Sequence, residues 1–180
     1  TRARATVAIA RAPFTDLEVS GVLVQPLIVG DPADMTVSWT VKNVSAQVGP
    51  VDTWIDRVVL SRNATLGDGD DLIVGSFTHN GLMPAGTSYS LSKLITLPAA
   101  TEGHFTLFVV TDATDVVYEH TNTGANSATR GYYVDIVPRK YADLVASEIS
   151  VSSTDAAGGQ INNGDKVSIS WTVSNPDAAN

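Results

Sequence analysis

Asp68-Gly-Asp-Asp71 is the segment whose residue types and spacing come nearest to chemistry. Three carboxylates around a glycine turn suit a hard cation, because Ca²⁺ takes six to eight oxygen ligands from a flexible loop. Asn63 and the loop carbonyls are the further oxygen donors within sequence reach. The stretch does not recur at nine-residue spacing, and it lacks the bidentate Glu of a helix-loop-helix calcium site. The competing reading is an acidic hairpin between two strands. Asp68, Asp70 and Asp71 are therefore the metal-ligand candidates, and calcium is the candidate cofactor.

A second acidic group, Asp112, Asp115 and Glu119, follows a strand that begins near His104, where a solvated turn is the default. Asp56 shares one strand face with Trp54, Val58 and Leu60. An inward carboxyl must be satisfied by Arg or by backbone N–H groups, and Arg57 points the other way on an ideal strand. A structural carboxyl that ties a loop is favoured over a catalytic acid, since no nucleophile or second acid accompanies it. His79, His104 and His120 are isolated in sequence, without zinc-ligand spacing. Asn43-Val-Ser45 and Asn63-Ala-Thr65 are glycosylation sequons read as coincidental. No nucleophile, base and orienting group stand together, so the expectation is a chain without enzymatic activity.

The elements that must position these residues are strands. Met35, Val37, Trp39 and Val41 alternate with Thr36, Ser38, Thr40 and Lys42, the period-two pattern of a strand with one buried face. Further strands are expected at about Leu17–Val24, Trp54–Ser61, Leu72–Phe77, Ser88–Leu97, His104–Thr111 and Tyr132–Val137, separated by Gly-, Pro- and Asn-rich turns. No segment holds a 3.6-residue period. Trp39 and Trp54 are the expected core anchors. Seven strands in this length fit an all-β, immunoglobulin-like antiparallel β-sandwich.

The sequence also repeats. Met35–Asn43 aligns with Val167–Asn175 on Trp39 and Trp171, and Asp16-Leu17 aligns with Asp143-Leu144, 127 residues further on. Val7-Ala-Ile9 and Pro13 precede the first copy as Val134-Asp-Ile136 and Pro138 precede the second. The reading is a tandem repeat. Residues 1–13 are the last strand of a preceding copy and a linker, 14–142 a complete sandwich, and 143–180 the first strands of the next. The expectation for 143–180 is a two-stranded piece with Trp171 markedly more exposed than Trp39.

Composition bounds the partners. Of the 180 residues, 17% are charged and none is cysteine, and the formal net charge is −8. An acidic body repels phosphate backbones, which argues against nucleic acid. No apolar run reaches the roughly 18 residues a membrane span needs.

Asp16-Leu17, Val37-Ser-Trp-Thr-Val-Lys-Asn43, Trp54-Ile-Asp-Arg-Val-Val-Leu-Ser61, Gly75-Ser-Phe77, Leu97-Pro98, Phe105-Thr-Leu-Phe-Val-Val-Thr-Asp112 and Val117-Tyr-Glu119 together resemble the CARDB domain, the cell-adhesion-related domain found in bacteria. The Trp-x-Asp-Arg-Val-x-Leu-Ser element is the most specific part. The resemblance spans about residues 16–137, and the segment from 143 resembles the start of a second copy. It implies an immunoglobulin-like sandwich in large extracellular proteins, often repeated or appended to secreted hydrolases. No catalytic residue defines the family, so none is carried over. Two departures stand out: His120-Thr-Asn-Thr-Gly-Ala-Asn126 replaces an Asn-rich run, and Phe105 stands where a Tyr is usual.

The functional expectation is a non-catalytic structural or adhesive module of a large, repetitive, secreted or cell-surface protein. Its partners would be neighbouring repeats of the same protein and a cell-surface protein or polysaccharide. The alternative is a carbohydrate-binding or accessory domain of a secreted hydrolase, for which Tyr89, Tyr132 and Tyr133 are the aromatic candidates.

Overall fold

The computed structural model describes residues 11–120, 126–139, 142–153 and 160–176. The strand expected around Val7 and Ile9 lies outside them, as does most of the run between His120 and Asn126. The chain divides into two compact units, Thr1–Arg139 and Lys140–Asn180.

The first unit holds β1 (Leu17–Leu23), β2 (Leu27–Val29), β3 (Asp34–Asn43), β4 (Thr53–Ser61), β5 (Leu72–Asn80), β6 (Ser88–Thr96), β7 (Gly103–Val110) and β8 (Ser127–Val137). They form a three-stranded sheet, β1-β3-β6, and a five-stranded sheet, β2-β8-β7-β4-β5. The inward rows of the two sheets meet in one apolar core. Leu17, Val37, Trp39 and Val41 come from the first sheet, and Trp54, Val58, Leu60, Leu107, Val109 and Ile136 from the second. Trp39 and Trp54 are each 1% exposed, so the alternation reading of β3 and β4 holds. The architecture is an all-β sandwich, as the period-two patterns require.

Two features depart from the expectation. β2 lies outside the expected strands, because three apolar residues after Pro26 carry too little pattern to announce one. It pairs parallel with β8, Leu27 opposite Asp135, so the sheet is not wholly antiparallel. The Pro26 carbonyl accepts Asp135 N–H and the Gly30 N–H donates to the Val137 carbonyl, closing both ends of this short pairing. β8 also begins at Ser127 rather than Tyr132. Its early residues, Ser127 to Thr129, read as polar turn, yet they pair with Val110 to Phe108 of β7.

The second unit holds an antiparallel pair, β9 (Val145–Ser153) and β10 (Val167–Ser174). Trp171 is 60% exposed, and Ile149, Val151, Ile169 and Val173 are exposed with it. Among the described residues no helix is long and apolar enough to cross a membrane.

Candidate metal centre

The β4–β5 hairpin places the acidic cluster. β4 ends at Ser61 and β5 begins at Leu72, so residues 62–71 form the connection. Gly67 takes a left-handed φ of 94°, a region that a glycine enters without a Cβ penalty. This turn folds Asp68, Asp70 and Asp71 onto one another. One oxygen from each lies within 4.8 Å of the others, and among the described residues no other set of three acidic or histidine side chains is gathered so closely.

The hairpin's own donors hold these oxygens. Asn63 donates its amide to Asp68 Oδ2 at 2.8 Å and to Asp70 Oδ2 at 2.7 Å. Ser61 Oγ donates to Asp70 Oδ1 at 2.8 Å, and Gly67 N–H to Asp71 Oδ2 at 2.6 Å. The Asn63 amide bond is the main influence holding the Asp68 carboxyl below its ordinary range. Asp71 Oδ1 is buried and has no hydrogen-bond partner. An orphaned buried oxygen beside two further carboxylates is a donor set that a hard divalent cation fits. The expectation for Asn63 needs correction. It faces the cluster with its N–H groups, while its Oδ1 accepts Thr65 N–H, so it stands in for a cation rather than ligating one.

Asp56 is fully buried and has a different role. Its Oδ2 accepts from Trp39 Nε1 at 2.9 Å and from Tyr89 OH at 2.9 Å, and its Oδ1 from Thr111 Oγ1 at 2.7 Å. Trp39 and Tyr89 belong to β3 and β6 of the three-stranded sheet. Asp56 lies on β4 and Thr111 just beyond β7, so the carboxyl clasps one sheet to the other. Its partners are three neutral side chains rather than the expected Arg or backbone N–H groups. Trp54 Nε1 donates in turn to Tyr89 OH at 3.1 Å. Burial, then the Asp56 charge, pushes the Tyr89 phenol well above its usual range.

His79 completes this cluster and is not isolated. The β4–β5 register sets it opposite Trp54, and its ring stacks on Trp54 at 4.0 Å and on Tyr89 at 4.3 Å. Counting back the hairpin from Leu60 opposite Leu72 would set Thr78 opposite Trp54; an irregularity between Val58 and Val59 moves the register by one residue, and the sequence carries no signal of it. The other two histidines also have partners: His104 pairs with Asp135 across β7 and β8, and His120 packs against Phe14. None sits in a ligand set.

The second acidic group does not converge. Asp112 is buried and turns back on its own loop, accepting Val116 N–H at 3.0 Å and Val117 N–H at 2.9 Å. Glu119 reaches instead to the start of β1 and accepts Leu17 N–H at 2.8 Å, while Asp16 accepts His120 N–H at 2.7 Å. Burial raises the Asp112 and Glu119 carboxyls above their ordinary range. Glu119 and Asp16 fasten the 111–120 loop to the start of β1, while Asp112 ties the loop to itself, roles that the sequence does not announce.

Asn43 of the first sequon is fully buried, donating to the Gln47 and Met83 carbonyls and accepting Ser45 N–H. No glycosyl acceptor is accessible there in the folded chain. Of the aromatic candidates for a sugar platform, Tyr89 is tied into the Asp56 clasp and Tyr133 is exposed. The Tyr132 side chain lies outside the described residues.

No family model matches the chain, and no curated protein matches it in sequence. The fold is that of a CARDB domain. The chain is similar to the CARDB domain of a Pyrococcus furiosus protein, whose crystal structure is in complex with di-metal ions. The identity is 21% and the TM-score 0.50, covering 72% of this chain and 100% of that one. A β-glucosidase from Listeria innocua in complex with gluconolactone shows a more distant likeness. There the identity is 14% and the TM-score 0.45, over 68% of this chain and 16% of that one.

Proposed function

We propose that this chain is a non-catalytic structural module, one of several CARDB-like sandwiches arrayed along a secreted or cell-surface protein. The observation that carries this reading is the second unit. Its hairpin repeats the motif of β1 and β3, including the central Trp, and bears an exposed apolar row of the kind that the first unit buries. A module that serves as a spacer needs a sealed core and contacts with its neighbours, and the polar groups of this core are turned to fastening sheets and loops. An antibody raised against residues 14–139 and applied to intact cells tests the location. Surface labelling that brief external proteolysis removes is the expected result. Labelling only after lysis would contradict it.

The cation at the β4–β5 hairpin is calcium in this proposal. Three carboxylates on the β4–β5 turn, one with an unpartnered oxygen, suit its oxygen preference and loose geometry better than the strict octahedron of Mg²⁺. A ligand that binds only the folded state stabilises it by roughly 2.7 kcal/mol at a hundredfold excess over Kd. Thermal melts in EGTA and in ~10 mM calcium, above the weak affinities of extracellular modules, should therefore differ by several degrees. Asp70→Asn should abolish most of that difference. Identical melts in chelator and calcium would remove calcium from the account.

A further inference from the structure

The hairpin of the second unit copies the β1–β3 pair in detail. Glu18 opposite Lys42, Val19 opposite Val41 and Ser20 opposite Thr40 become Val145 opposite Ser174, Ala146 opposite Val173 and Ser147 opposite Thr172. The register then slips in both pairs at the same place, and resumes with Leu23 opposite Ser38 and with Ser150 opposite Ser170. At the slip each strand places one residue in the left-handed region, Gly21 at φ 63° and Glu148 at φ 52°. A bulge that recurs with its backbone conformation even where Gly has become Glu is a feature of the fold, since a non-glycine residue enters that region only at a cost.

The matching residues differ in one respect. Leu17, Val22, Val37, Trp39 and Val41 are buried, whereas their counterparts Leu144, Ile149, Ile169, Trp171 and Val173 are exposed. In the first unit that face is covered by the five-stranded sheet. The covering strand that follows β3 along the chain is β4, whose inward row reads Trp54, Asp56, Val58, Leu60, and Asp56 takes the indole N–H of Trp39. A Trp buried on this face has a donor that must find an acceptor.

We infer that β9 and β10 form one wall of a second sandwich, and that Trp171 Nε1 donates there to a carboxylate as Trp39 donates to Asp56. The carboxylate lies on a strand that follows β10 in the same polypeptide, about as far beyond Trp171 as Asp56 lies beyond Trp39, a separation of 17 residues. That strand has the chemistry of β4: large apolar, carboxylate, aliphatic, aliphatic on alternate positions. The inference rests on the tandem-array reading and specifies the partner that the array supplies to this face.

The test compares the 180-residue chain with one prolonged through the next hundred or so residues of its own gene, roughly one further domain. Both carry 5-fluorotryptophan, and Trp171→Phe assigns the resonance. In the shorter chain the Trp171 signal should show a full H₂O/D₂O isotope shift and quench with iodide. In the longer chain both should be lost, and replacing the acidic residue of the new strand by Leu should lower the midpoint of the second unit's transition while leaving the first unit's unchanged. Protection of Trp171 by a strand without an inward carboxylate overturns the inference and leaves the array standing. A Trp171 still open to iodide in the longer chain, or a gene with no such strand, overturns both.

Discussion

Asp56→Ala is expected to destabilise the first unit by about 3–5 kcal/mol, because three donors lose the one carboxyl that satisfies them. The substitution strands three donors, the buried Trp39 Nε1 and Thr111 Oγ1 and the half-buried Tyr89 OH. Each unsatisfied buried polar group costs about 1–3 kcal/mol, and relaxation of the hydroxyls keeps the total below the simple sum. Against a whole-domain stability of roughly 5–15 kcal/mol, the loss is large. Asp56→Asn retains one acceptor oxygen and should lose clearly less. Trp39→Phe removes one of the three donors, so in the double variant the two losses should fall short of adding, because both act on one bond. Urea unfolding followed by Trp fluorescence and by circular dichroism reads all of these. An Asp56→Ala midpoint within about 1 kcal/mol of the parent would mean that the clasp contributes little to the pairing of the two sheets.

Most of the sandwich is legible in the sequence because its strands carry one buried face each. The alternation across Met35–Val41 and Trp54–Leu60 names both the strands and the side that meets the core, and the two Trp residues lie where that predicts. β2 is illegible for the opposite reason. Its three residues are held by pairing with β8 and by the Pro26 and Gly30 backbone groups, which leave no periodic mark.

The chemistry at Asp56 was half visible. Its inward direction follows from period two, but its donors sit on β3, on β6 and after β7, so only the packed sheets reveal that Trp, Tyr and Thr satisfy it. At the hairpin the three carboxylates are close in sequence and stay close in space. Asn63 misled because residue type alone does not say which end of an amide faces a cluster. Asp112 and Glu119 do not share a site because backbone N–H groups take their carboxyls, on its own loop for Asp112 and 102 residues away for Glu119.

The central claim is that the chain holds one finished sandwich and the opening wall of another, and native-state hydrogen exchange tests it most directly. A two-stranded piece with an uncovered apolar face is marginal in water, whereas central strands of a sealed core open only with the whole domain. In the 180-residue chain, amides of β3, β4 and β7 should exchange with one common opening free energy, that of global unfolding. Amides of β9 and β10 should exchange with an opening free energy of no more than about 1 kcal/mol, at the frayed end of the range proteins show. A difference of several kcal/mol between the two sets is the predicted result. If β9 and β10 share the protection of the core strands and lose it in the same transition, the hairpin is an integral part of the first sandwich, and the array reading fails.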